Sequence, residues 1–60
     1  MENWIDSLVE DLTTRYGFNR LTALSIIMRS LAESKYKEEE TKKKAYDLAE
    51  FVSIILQHNS

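Results

Sequence analysis

Few residues of this chain are of a type that does covalent or acid–base chemistry. The sequence holds no cysteine and one histidine, His58. That removes thiol nucleophiles, disulfides and the grouped His or Cys ligands of a structural zinc site. A lone histidine near the end of a helix reads as a C-terminal cation rather than as a base or a ligand. Glu10 and Asp11 are adjacent, and Glu38, Glu39 and Glu40 form a run. Neither group comes with the nucleophile or base that acid–base catalysis requires beside it, and both read as solvated faces. The single glycine, Gly17, cannot supply a phosphate-cradling loop. The expectation is a protein that is not an enzyme and that uses no cofactor and no metal.

The cationic residues are equally restrained. Lys42, Lys43 and Lys44 invite a nucleic-acid or membrane reading, yet each has a glutamate four residues earlier. Glu38–Lys42, Glu39–Lys43 and Glu40–Lys44 are in the order that stabilises a helix, by about 0.2 to 0.5 kcal/mol each. With 8 basic and 10 acidic residues the chain has a net charge of −2 and no basic field to draw in a polyanion. Residues 12–23, Leu12 to Ala23, resemble the layout of a DNA-binding helix-turn-helix: a helix ending at Gly17, apolar Phe18, the small polar cap Asn19, then Thr22 and Ala23. That resemblance implies a repressor reading bases through Arg20, Ser25 and Arg29. The same helix would have to present Leu21, Leu24 and Met28 to the groove, which argues against it.

The elements that would position any site are helices, because sixty residues contain no proline and one glycine. A first helix is expected at about 4–16: at 100° per residue Met1, Trp4, Ile5, Leu8, Val9, Leu12 and Tyr16 fall within an arc of about 140°. Asn3 is its N-cap and Asp6 suits the positive end of the dipole. Gly17 ends it in a left-handed conformation, with Phe18 folding back over Leu12, and Asn19 caps a second helix at about 20–33. There Leu21, Ala23, Leu24, Ile27, Met28, Leu31 and Ala32 span about 180°, with Ile26 outside. So broad an apolar face predicts a central helix contacted on two sides. No Gly or Pro marks the next boundary; the break is expected between Ser34 and Lys37, where the apolar stripe shifts by about 90°. The third helix, about 37–57, carries the seam Thr41, Ala45, Leu48, Val52 and Ile55, flanked by Ala49, Phe51 and Leu56. Gln57 to Ser60 are expected to fray.

A 60-residue domain buries only about 60% of its unfolded surface, and such chains are commonly stabilised by disulfides, metals or self-association. Without cysteines or a histidine cluster, self-association is what remains. The chain is therefore expected to be an all-α three-helix bundle, a single domain over 1–60, assembled as a homodimer. Leu21, Leu24, Ile26, Met28, Tyr36, Tyr46 and Ile54 are the candidate interface. The start lacks a basic, apolar leader and no apolar run is long enough for a membrane span, so a cytoplasmic protein without membrane contact is expected. Its expected partners are a second copy and another protein, and its character is that of small phage or bacterial regulators and inhibitors. The alternatives are the DNA-binding repressor and a purely structural oligomerisation module.

Overall fold

In a computed structural model, which describes residues 3–59, the chain is an all-α bundle of three helices: α1, Trp4–Tyr16; α2, Arg20–Glu33; and α3, Glu38–His58. Among the described residues there is no strand. Met1 of the expected first apolar arc lies outside them, as does Ser60.

The first connection follows from its residue types. Asn3 accepts a hydrogen bond from the Ile5 amide at 3.0 Å and caps α1. Gly17 has φ 73° and ψ 17°, and its N–H donates to the Thr13 carbonyl at 3.1 Å. Asn19 then accepts from the Thr22 amide at 2.8 Å, starting α2 directly. Phe18, held between the two caps, is buried and stacks on Tyr16 with ring centroids 5.3 Å apart.

The second connection, residues 34–37, has the same backbone logic without glycine. The Tyr36 N–H reaches back to the Leu31 carbonyl at 2.9 Å and the Lys35 N–H to that of Ala32 at 3.5 Å. This is the double hydrogen bond of a Schellman stop. Lys35 and Tyr36 adopt φ of 55° and 65° to make it, a conformation that costs any residue with a Cβ. Inside the turn the buried hydroxyls of Ser34 and Thr41 bond to each other, tying the end of α2 to the first turns of α3. No side chain caps α3 at Lys37; Glu38, Glu39 and Glu40 stand at its positive end instead. Of the three Glu–Lys pairs on this turn, Glu38–Lys42 closes at 2.8 Å, and no ion pair forms at the other two. At its far end α3 runs through His58, where fraying was expected, and the Asn59 N–H bonds to the Ile55 carbonyl.

The core is Leu8, Val9 and Leu12 from α1, Phe18, then Ala23, Ile26 and Ile27 from α2 and Ala45 and Ala49 from α3. On α1 this is the expected face. On α2 the buried face is rotated by about 100° from the expected one. Ile26, read as lying outside the stripe and as part of an interface, is 4% exposed and belongs to the core, while Leu21, Met28 and Ala32 point outward and Leu24 and Leu31 are half-buried. Ala23 and Ser30 are buried on α2 together with Ile26 and Ile27, and Thr41, Ala45 and Ala49 on α3, so small residues take up much of the buried surface of both helices. The Ser30 hydroxyl is satisfied locally by the Ile26 carbonyl at 2.8 Å, which lets a polar residue occupy that face.

Candidate functional site

Two kinds of surface were brought together by the fold: a polar seam between α1 and α3, and apolar helix faces that nothing covers. The seam is built around Tyr46. Its hydroxyl donates to the Asp11 carboxylate, Arg15 pairs with the same carboxylate at 3.5 Å, and the Arg15 guanidinium lies 5.3 Å from the centre of the Tyr46 ring. The hydrogen bond to Asp11, then partial burial, hold the Tyr46 phenol above the ordinary tyrosine value, because the ionised form would lose the bond and face a carboxylate. Beside it an open groove of about 480 Å³ runs between Trp4, Ser7 and Leu8 of α1 and Lys42 of α3. The arrangement fixes the offset of α1 along α3.

The expected interface residues separate into three groups. Leu21 and Met28 lie on the outer side of α2, 74% and 66% exposed, with half-buried Leu24 beside them. Tyr36 projects from the second turn and Ile54 from the last turns of α3, both exposed. Ile26 and Tyr46 are taken up by the fold, in the core and in the Asp11 seam.

Further exposed apolar residues were missed, because the sequence pattern put Ile55 in the seam of α3 and Phe51 and Leu56 on its flanks. Phe51, Ile55 and Leu56 are all open to solvent. For Leu56 the signal is length, since α3 has 21 residues against 13 and 14 for α1 and α2, whereas Phe51 lies on the side of α3 turned away from buried Ala45 and Ala49. Carrying the 35-residue offset of Asp11–Tyr46 along α1 and α3 sets Tyr16, the end of α1, at the level of residue 51 of α3. Beyond that level α3 has no α1 to pack against. Phe51 also borders a second groove, of about 360 Å³, between Arg29 and Glu33 of α2 and Lys44, Asp47 and Leu48 of α3.

The basic residues of the helix-turn-helix reading do not form one ridge. Arg20 and Arg29 project about 180° apart around α2, and Arg29 is paired with Glu33 at 3.2 Å. Among the described residues no group of His, Asp and Glu converges as a metal site, and no helix is long and apolar enough to cross a membrane. No protein-family model matches the chain, and no curated protein or solved structure matches it.

Proposed function

We propose that this chain is a small, non-enzymatic protein-binding regulator or inhibitor that works through its helical surfaces as a homodimer. The observation that carries the reading is how size is divided: α3 buries only Thr41, Ala45 and Ala49, and α2 buries Ala23 and Ser30 beside Ile26 and Ile27, while Leu21, Met28, Phe51, Ile54 and Leu56 lie outside. Single exposed apolar residues are ordinary in any protein. Here they are grouped, on the outer side of α2 and on the end of α3, and grouped apolar surface is what protein partners cover. Two separate faces suit two occupants, a second copy and a different protein. The outer side of α2 also disfavours the DNA-binding alternative, since Leu21 and Met28 would enter the groove with the arginines splayed to either side.

The test has two arms. Sedimentation equilibrium of the purified chain reads self-association directly; a species of 7.0 kDa up to several hundred micromolar removes the homodimer. Capture of a host protein on immobilised chain, repeated with Leu21→Glu and Met28→Glu, reads the partner. Capture that both variants lose supports a protein-binding face on α2. Sequence-dependent DNA binding that persists near physiological salt replaces this reading with the repressor.

A further inference from the structure

We infer that the second copy docks on the last three turns of α3, antiparallel, through a stripe that is complementary to itself; this rests on the homodimer reading above and specifies its interface. Asp47, Phe51, Ile54 and His58 follow one another at spacings of four, three and four. At 100° per residue they fall within an arc of about 60°, a single straight stripe, with Ile55 along its edge. All four are exposed, Phe51 by 60% and Ile54 by 54%. The side chains of Asp47 and His58 make no ion pair or hydrogen bond among the described residues.

Reversed end for end, the stripe reads the same in chemical terms. An acid, two apolar residues and an imidazole become an imidazole, two apolar residues and an acid. A two-fold axis crossing α3 between Val52 and Ser53 therefore sets Asp47 against His58 of the partner subunit and Phe51 against Ile54 of the partner subunit, and repeats both contacts by symmetry. Isologous pairing of this kind is the commonest way for identical chains to associate. The imidazole N–H donates to the carboxylate at each end, and the apolar pairs fill the middle. No Lys or Arg lies beyond Lys44 to favour an anionic lipid surface on the same stripe.

The areas agree with a weak, reversible dimer. The accessible surface of 4550 Å² exceeds the roughly 4,000 Å² expected of a compact monomer of this mass. The exposed parts of four side chains on each copy make a contact smaller than a standard specific interface, as in transient associations.

Sedimentation equilibrium on the full chain tests this. The parent is expected to dimerise in the micromolar range and Ile54→Glu to raise the dissociation constant at least tenfold with unchanged helical circular dichroism, while Met28→Glu leaves it as in the parent. Orientation is read by a charge exchange. Asp47→Arg is expected to weaken the dimer several-fold, and adding His58→Asp on the same chain to restore it. Residues 47 and 58 are about 16 Å apart along one helix and cannot pair within a chain, so restoration requires the antiparallel contact. A parent that stays monomeric overturns the homodimer reading itself. A parent dimer that Ile54→Glu leaves intact overturns this interface and lets the homodimer stand, and an exchange that fails to restore association overturns the antiparallel arrangement.

Discussion

At the scale of single residues, Tyr46 ties α1 to α3. Its hydroxyl reaches Asp11 across 35 residues of sequence, and its ring carries the Arg15 guanidinium. Tyr46→Phe keeps the ring and removes the donor; it is expected to cost about 1 kcal/mol in urea unfolding at pH 7. The pH dependence follows from the direction of the shift. A phenol raised in the folded state contributes its full stability below the unfolded value of about 10 and loses it as pH rises through the higher folded value. The parent is therefore expected to lose stability above about pH 10, and Tyr46→Phe to show a smaller loss over that range. Neither partner was legible in the sequence as half of a pair. Asp11 read as part of a solvated face and Tyr46 as an interface residue, because an offset between two helices is a tertiary quantity and periodicity within one helix carries no information about it. Asn3, Gly17 and Asn19 were legible, because capping is local: each side chain or backbone bond closes within a turn of the residue concerned.

At the scale of the elements, the two turns form a natural comparison. Gly17 and Lys35 both stand in the left-handed region, one without a Cβ and one with it. No atom lies within 4 Å of where a Cβ on Gly17 would be, so Gly17→Ala meets backbone strain alone and is expected to cost about 1 kcal/mol. Lys35→Gly relieves the same strain and is expected to add up to about 1 kcal/mol, read by the shift in urea midpoint. The position of the second turn was still readable from the interrupted apolar pattern, although its chemistry was not. The face of α2 was misread for a different reason. Apolar periodicity weights large side chains, whereas the buried faces of α2 and α3 include Ala23, Ser30, Thr41, Ala45 and Ala49, small or polar residues that a count of bulky apolar positions passes over. Ile27→Ala is accordingly expected to destabilise by about 2 to 4 kcal/mol, whereas Met28→Ala stays within about 0.5 kcal/mol of the parent. Thermal melts of both variants check the rotation of the helix.

At the scale of the whole molecule, a monomer 37 Å long and 15 Å thin is mostly surface. If pairing on α3 covers part of it, the melting temperature is expected to rise with protein concentration, and to stop doing so in Ile54→Glu. The all-α class and the three helices were legible throughout, because each helix announces itself within its own residues; the uncovered end of α3 was not, because it depends on where the other two helices stop. The short connections at residues 17–19 and 34–37 have a consequence in time. They join helices that then pack on their sequence neighbours, leaving the α1–α3 seam to close last over a longer loop. Helical bundles with mostly local pairings fold in microseconds to milliseconds. Two such molecules at about 10 µM meet productively only about 1 to 100 times per second at ordinary association rates. A newly made chain is thus a finished bundle long before it encounters another. In stopped-flow refolding, Trp4 fluorescence is expected to recover in a phase whose rate ignores protein concentration, followed by a slower change in light scattering whose rate rises in proportion to it.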